Sequence, residues 1–215
     1  MQNREAKSHY LDQLKKLQSD LEEAVKDLPL ANHAKDIVHG EGIVPAKIMM
    51  IGEAPGYNES VQRRPFVGRS GQLLRQVIQD VKLPINEVYI SNIVKARPPD
   101  NRDPSPEEIL AYKPFLDLEI ELVDPLLMVT LGRYSMAKFL PDVFISQVHG
   151  RLHRVVWNEK LLYVLPMYHP AAGLRSTKVK ESFVRDFEKI HKIIQWVEHR
   201  QQVDEMKEEV VGAIF

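Results

Sequence analysis

The sequence contains no cysteine in its 215 residues. This absence excludes disulfide bonds, thiolate zinc sites, cysteine nucleophiles and iron–sulfur clusters held by cysteine. No apolar run approaches about 18 residues, and the N-terminus lacks the apolar core of a signal peptide, so we expect a soluble, cytoplasmic protein without a membrane segment. With 44% hydrophobic and 27% charged residues, we expect a single globular domain over residues 1–215.

Charge is balanced overall but unevenly distributed. The 29 basic and 30 acidic residues give a net charge of −1, so the chain is not globally basic. Residues 61–75 contain four arginines and no acid, whereas residues 103–124 contain seven acids and one lysine. This segregation allows a basic face that binds a polyanion. An ordinary solvated surface explains the same pattern, and composition alone favours that explanation.

Short apolar runs alternate with amphipathic segments along the chain. The predicted strands are residues 47–51, 88–94, 126–131 and 161–167, with 151–157 as the other arm of a hairpin. The predicted helices are residues 4–27, which make up most of an N-terminal helical segment 1–28, and 70–82, 106–123, 133–140 and 176–199. Ser105 and Glu108 predict a capping box at the start of the third helix. Residues 200–215 are expected to form a loosely held tail.

Continuous apolar strands that alternate with helices predict an α/β fold, with a parallel sheet covered by helices on both faces as a three-layer sandwich. In such sheets ligands bind beyond the carboxyl ends of the strands. The polar and turn-forming segments that follow the strands are therefore expected to converge. These segments are residues 52–56, 92–99, 132–133 and 169–175.

Three side chains in these segments are candidates for chemistry, each with a structural alternative. Glu53 lies in the turn after the first strand, where a rigid carboxylate can position water or can simply cap the turn. Asn92 presents one acceptor beside two donors, which could read a pyrimidine edge or could satisfy a buried backbone. His169 follows the last strand and could donate to a carbonyl oxygen that gains negative charge, although a lone histidine is more often structural.

Two further patterns involve an aromatic ring and a pair of histidines. Phe66 is either a core anchor or a platform on which a planar ligand stacks. Gly68 and Gly71 resemble a phosphate-binding loop, but the lysine and the spacing of a Walker motif are missing, so nucleoside triphosphate binding is not expected. His149 and His153 would lie about 13 Å apart along a strand, too far apart to share an ion, so we expect no metal site.

Four sequence blocks occur in a characteristic order. They are GEAPG with Glu59 and RPFVGRSGQLL, then YISNIVKARPPDNRDPSPEE, then VTLGR, and finally YHPAAGLR. Together they resemble the family 4 uracil-DNA glycosylases over roughly residues 25–190. The resemblance implies a central four-stranded parallel sheet between helices. It also implies hydrolysis of the N-glycosidic bond of deoxyuridine in DNA.

The resemblance further implies three catalytic residues. Glu53 matches the carboxylate associated with the attacking water, and Glu59 matches a second acid of the same motif. His169 matches the histidine that contacts a carbonyl oxygen of uracil.

Substrate and DNA contacts follow from the same blocks. Phe66 matches the ring that stacks on uracil, and Asn92 matches the amide that reads its edge. The implied substrate-binding residues are Gly52, Ala54, Phe66 and Asn92. The segment 170–175 matches the loop that is pressed into DNA when the nucleotide is extruded. The expected DNA-binding residues are Arg63, Arg64, Arg69, Pro170, Leu174 and Arg175.

The chain departs from the family at one cofactor. The family holds a [4Fe–4S] cluster by four cysteines, and the matching positions here are Val25, Leu28, Ala96 and Tyr112. All four are apolar or aromatic. We therefore expect no cofactor and a hydrophobic packing contact in place of the cluster.

These observations predict a monomeric, monofunctional uracil-DNA glycosylase of base excision repair, with uracil-containing DNA as its partner. A second hypothesis is a catalytically silent DNA-binding relative that kept the fold. Two further hypotheses are a glycosylase for another deaminated base, such as hypoxanthine or xanthine, and a hydrolase of free nucleotides. The sequence leaves the preference for single- or double-stranded DNA open.

Overall fold

The computed structural model describes the backbone of residues 2–214 and the side chains of residues 9–204, 206 and 207. The helices are α1 (Gln2–Glu23), α2 (Tyr57–Gln62), α3 (Arg69–Asp80), α4 (Pro106–Val123), α5 (Arg133–Ala137), α6 (Ile145–Val148), α7 (Pro170–Gly173), α8 (Thr177–Glu188) and α9 (Ile190–Ile214). The strands are β1 (Glu41–Gly42), β2 (Ile48–Gly52), β3 (Val88–Asn92), β4 (Leu127–Leu131), β5 (His153–Trp157) and β6 (Lys160–Met167). Nowhere in these ranges is a helix both long and apolar enough to cross a membrane.

Within residues 2–214 the strands form a sheet in the order β1-β3-β2-β4-β6-β5. The central strands β3, β2, β4 and β6 run parallel, which confirms the predicted parallel core. Strands β1 and β5 pair antiparallel at the two edges. The implied count of four strands is therefore corrected to six. Strand β5 is the predicted hairpin arm, whereas β1 is two residues long and too short to leave a sequence pattern.

The sheet separates two hydrophobic clusters. Successive side chains of a strand point to opposite faces, and accordingly Met49 and Ile51 belong to one cluster while Ile48 and Met50 belong to the other. Helices α1 and α4 cover the first face, and α3, α8 and α9 cover the second. Because both faces are covered, the strands are continuous apolar runs, and the three-layer α/β class is confirmed.

One predicted helix boundary agrees with the structure, and another predicted helix is divided in two. The predicted capping box forms at α4, where the Glu108 N–H donates to Ser105 Oγ at 3.3 Å and the Ser105 N–H donates to Glu108 Oε2 at 2.8 Å. The predicted helix 176–199 is instead two helices, α8 and α9, which break at Lys189 without a proline or glycine. Helix α9 continues to Ile214, so the backbone of residues 200–214 is helical. That this tail is loosely held stays a prediction, and Phe215 lies outside the described residues.

A charged network is buried between β3 and α4. Lys95 Nζ donates to Ser91 Oγ and forms an ion pair with Glu119 Oε2. Glu119 also accepts hydrogen bonds from the hydroxyls of Tyr89, at 2.9 Å, and Ser91, at 2.8 Å. The Lys95 and Glu119 side chains are almost fully buried. The network therefore fixes the turn that follows β3 against helix α4.

Candidate active site

A cavity of about 520 Å³ opens at the carboxyl ends of the four parallel strands. Segments after all four strands contribute to its wall, as the strand pattern predicts. The predicted site residues that line it are Glu53, Ala54, Glu59, Phe66, Asn92, His169 and Arg175. The remaining predicted positions, all within the described ranges, lie outside the lining: Gly52, Arg63, Arg64, Arg69, Pro170 and Leu174.

Glu53 lies in the turn after β2, where the backbone N–H of Tyr134 approaches its Oε1 at 3.5 Å. Gly132 makes this approach possible, because its φ is +104° and a Cβ there would lie 2.3 Å from Glu53 Oε1. Burial raises the pKa of the Glu53 carboxyl to about 7, with a further contribution from the charge of Asp103. A carboxyl that titrates near neutral pH is suited to take a proton from water.

His169 caps the N-terminus of α7. The Ala171 N–H donates to His169 Nδ1 at 3.2 Å. Because Nδ1 accepts this hydrogen bond, the neutral ring carries its proton on Nε2. Burial, together with a smaller contribution from the charge of Arg175, lowers the pKa of the imidazole to about 4. At neutral pH the ring is therefore an uncharged donor.

Asn92 is the last residue of β3 and pairs in register with Gly52 of β2. The residue is 3% exposed, and Oδ1 has no hydrogen-bond partner among the described residues. A buried acceptor without a donor costs about 1–3 kcal/mol. Because Asn92 lines the cavity, a ligand N–H entering the cavity would remove this cost.

The Phe66 ring lies beside the amide of Asn92 and the ring of His169. A Cβ on Gly52 would lie 2.4 Å from both Phe66 Cζ and Asn92 Oδ1, so only glycine lets these groups come so close. The centroids of the Phe66 and His169 rings are 5.9 Å apart. Gly52 thus shapes the cavity floor without belonging to its lining.

Glu59 projects from α2 and is 8% exposed. Its Oε1 accepts the backbone N–H groups of Val67, at 2.9 Å, and Gly68, at 2.7 Å. The carboxylate lines the cavity and at the same time fastens the turn that carries Phe66.

Sequence reasoning missed a polar cluster at the cavity rim. Asp103 Oδ2 accepts hydrogen bonds from Arg133 Nη2, at 2.7 Å, and from the Tyr134 hydroxyl, at 3.0 Å. The Arg133 guanidinium also lies 4.5 Å from the centroid of the Tyr134 ring. Asp103 belongs to a proline-rich stretch without periodicity, so only its place after the second predicted strand could have indicated it.

A second polar contact lies beside Tyr168, which belongs to the cavity wall. His149 Nδ1 is 2.6 Å from Asp186 Oδ2, and the imidazole lies 4.4 Å from the ring of Tyr168, which lines the cavity.

In the part of the chain that the structure describes, no group of three or more His, Cys, Asp or Glu side chains could hold a metal ion.

The predicted DNA-binding arginines differ in their surroundings. Arg63 is paired with Glu22, and Arg64 forms two hydrogen bonds with Glu41, at 2.9 and 2.7 Å. In contrast, Arg69 and Arg175 are exposed and form no side-chain hydrogen bond or ion pair with any described residue.

The loop that follows His169 exposes only its end. Pro170 is buried at the start of α7, whereas Leu174 is 44% exposed and Arg175 is also exposed. Of the predicted loop, Leu174 and Arg175 are therefore the residues that can reach a large ligand.

Comparison with known proteins agrees with this arrangement. The family model described as the uracil DNA glycosylase superfamily matches residues 39–193. The type-4 uracil-DNA glycosylase of Sulfurisphaera tokodaii is 39% identical, over 85% of this chain and 86% of that protein. The type-4 uracil-DNA glycosylase of Saccharolobus solfataricus is 42% identical, over 73% of this chain and 75% of that protein. The chain therefore belongs to the uracil-DNA glycosylase superfamily.

Proposed function

We propose that the protein is a monofunctional DNA repair glycosylase that hydrolyses the N-glycosidic bond of deoxyuridine in DNA. The named activity of its relatives supports this proposal. One observation carries it: the buried Oδ1 of Asn92, without a partner among the described residues, lines the same cavity as Glu53, Phe66 and His169. These four groups supply what recognition and removal of uracil require.

Asn92 distinguishes uracil from cytosine. Its Oδ1 accepts the N3–H of uracil, and its Nδ2 donates to O4. Cytosine presents an unprotonated N3 and an amino group at these positions, which would leave both atoms of the amide without a complement. Phe66 stacks on the face of the base, and this contact tolerates any planar ring. Selectivity therefore rests on the amide rather than on the aromatic side chain.

Glu53 and His169 act on opposite sides of the bond that breaks. As the N1–C1′ bond breaks, the sugar becomes cationic and uracil leaves as an anion. The Nε2–H of His169 donates to a carbonyl oxygen of that anion. The Glu53 carboxylate stabilises the sugar and orients a water, whose oxygen bonds to C1′ while Glu53 takes its proton. Uracil then takes up a proton from solvent, and Glu53 releases to solvent the proton that it took from water.

The target nucleotide must leave the duplex before this chemistry can occur, at a cost of a few kcal/mol. Leu174 is an exposed apolar side chain next to Arg175 of the cavity wall, and it can fill the vacated space. Arg69 and Arg175 are exposed and can neutralise phosphates. The paired Arg63 and Arg64 are less suited, because a phosphate would compete with their carboxylate partners.

No iron–sulfur cluster takes part in the proposed reaction. The four matching positions, Val25, Leu28, Ala96 and Tyr112, belong to one buried hydrophobic cluster and offer no thiolate. The Tyr112 hydroxyl donates to the Pro29 carbonyl at 2.6 Å, and burial raises its pKa, so it stays protonated. These residues do not fit an iron–sulfur cluster. Incubation with an iron chelator is expected to leave uracil release unchanged, and a loss of activity would contradict this part of the proposal.

The rate of uracil release is expected to fall below about pH 7. Burial raises the pKa of Glu53 to about 7, so acid converts the required carboxylate to the neutral acid. Below that pH the single-turnover rate should decrease about tenfold per pH unit. His169 has a pKa of about 4 and stays neutral between pH 5 and 8, so its titration does not change the rate in this range. A rate that is flat between pH 5 and 8 would contradict the role of Glu53.

A panel of oligonucleotides tests the proposed function. Each contains one uracil, hypoxanthine, xanthine or thymine, in single- and double-stranded form, and alkaline cleavage reports base release. We expect release of uracil and none of thymine. Release of hypoxanthine alone would reassign the base, and release inhibited by free deoxyuridine monophosphate would favour a nucleotide hydrolase. DNA binding without release of any base would show a silent relative.

A further inference from the structure

The turn that carries Phe66 has an unusual backbone. Phe66 has a φ of +54°, in the left-handed region that bulky side chains seldom adopt. The residue is 4% exposed and lines the cavity. A strained conformation of this kind persists only where neighbouring groups hold it. The neighbours of the turn are therefore informative.

Two side chains of opposite charge hold the turn from two sides. Glu59 Oε1 accepts the N–H groups of Val67 and Gly68, at 2.9 and 2.7 Å. Arg75 Nε donates to the Phe66 carbonyl at 3.0 Å, and its Nη2 donates to the Pro65 carbonyl at 3.1 Å. Four consecutive residues of the turn, 65–68, thus have a backbone group bonded to one of these two side chains.

Helix α3 completes the support. A Cβ on Gly71 would lie 2.1 Å from the carbonyl carbon and oxygen of Phe66, so glycine lets the helix pack directly against the strained residue. Gly71 and Arg75 are four residues apart and therefore lie on the same face of α3. The glycine and the arginine thus act on Phe66 from the same helix.

We propose that Glu59 and Arg75 are positioning residues that hold Phe66 for stacking on the extruded base, and that Glu59 exchanges no proton in the reaction. This inference rests on the proposed function. It replaces the acid–base role implied for Glu59 by a structural one, because Oε1 of its carboxylate accepts two backbone N–H groups of the turn that carries Phe66. It also assigns a structural role to Arg75, one of the four arginines of segment 61–75.

Glutamine at position 59 separates the two roles. The amide oxygen of glutamine accepts the same two N–H groups, but the amide does not take up a proton near neutral pH. An acid or base would lose its function in Glu59→Gln as fully as in Glu59→Ala. A positioning residue would keep most of its function in Glu59→Gln and lose it in Glu59→Ala.

The experiment measures kcat, KM and inhibition by free uracil on a single-stranded oligonucleotide with one deoxyuridine. Stacking is present before and during bond cleavage, so Glu59→Ala and Arg75→Met are expected to raise KM and the uracil inhibition constant together by about tenfold, with a smaller change in kcat. Glu59→Gln is expected to stay within about threefold of the parent protein in all three values. Glu198→Ala removes a carboxylate that pairs with Lys47 at the opposite end of the sheet and serves as the matched control.

Amide hydrogen exchange at Val67 and Gly68 provides a readout that does not depend on activity. Both amides are expected to exchange slowly in the parent protein and in Glu59→Gln, and faster in Glu59→Ala. If Glu59→Gln loses kcat as severely as Glu59→Ala while uracil inhibition is unchanged, Glu59 is an acid or base and the inference is wrong. If the parent protein releases no uracil, the proposed function fails, and the exchange rates alone decide whether Glu59 holds the turn.

Discussion

Glu53→Gln is expected to slow uracil release by about 10²–10⁴-fold, the usual contribution of a general base. Glutamine keeps the size of the side chain and an oxygen for the Tyr134 N–H, but it cannot take a proton from water. The pH dependence below about pH 7 should disappear in the same variant, because the titrating group is gone. Single-turnover kinetics of a uracil-containing oligonucleotide measure both effects.

The affinity of Glu53→Gln for DNA distinguishes loss of the catalytic base from misfolding of the variant. Glu53 lies in the cavity wall rather than at the exposed loop end, so the variant should bind an oligonucleotide within about threefold of the parent affinity. A variant that keeps more than a tenth of the parent rate would contradict the assignment of Glu53 as the base.

The same substitution is expected to stabilise the folded protein in alkaline solution. Burial raises the pKa of Glu53 to about 7 in the folded chain, so ionisation above that pH opposes folding. The stability associated with the neutral carboxyl is complete below its ordinary pKa of 4.5 and is lost as the pH rises through about 7. Glu53→Gln should therefore raise the free energy of unfolding by up to about 3 kcal/mol at pH 8 and change it little at pH 4. Urea unfolding at both pH values measures the difference, and equal effects would contradict it.

The sequence predicts the site best for functional side chains that lie at the carboxyl ends of strands. Glu53, Asn92 and His169 each lie at the end of a strand or one or two residues beyond it, and parallel strands place such positions at one edge of the sheet. Their convergence is therefore a consequence of the strand pattern. The register between neighbouring strands cannot be predicted from the strand pattern. In the structure Gly52 pairs with Asn92, and this pairing brings the Phe66 ring close to the Asn92 amide.

Ion pairs between distant segments were beyond sequence reasoning. Arg63 and Arg64 belong to a segment without acids, which suggested phosphate binding, yet they pair with Glu22 and Glu41 from elsewhere in the chain. Composition shows which side chains are charged but not where their partners lie in the fold. The strained φ of Phe66 was hidden for a similar reason, because the groups that hold it come from two separate helices.

Lys95→Met is expected to lower the free energy of unfolding by about 3–5 kcal/mol. This is the usual cost of leaving one charge of a buried ion pair without its partner. Lys95 is 2% exposed, and the substitution leaves the carboxylate of Glu119 with only the hydroxyls of Tyr89 and Ser91 as donors. Methionine is unbranched and similar in length to lysine, so little of the loss comes from a cavity. Urea unfolding at pH 7 measures the change.

Two companion variants identify the source of this loss. Lys47→Met breaks an exposed pair with Glu198 and should cost only about 0–1 kcal/mol. The double variant Lys95→Met/Glu119→Leu removes both buried charges and should recover about half of the loss, because the two hydroxyls then lack their acceptor. Equal costs for Lys95→Met and Lys47→Met would show that burial does not strengthen the pair. A double variant as unstable as Lys95→Met would show that hydrogen bonds to the hydroxyls, rather than charge compensation, hold α4 against β3.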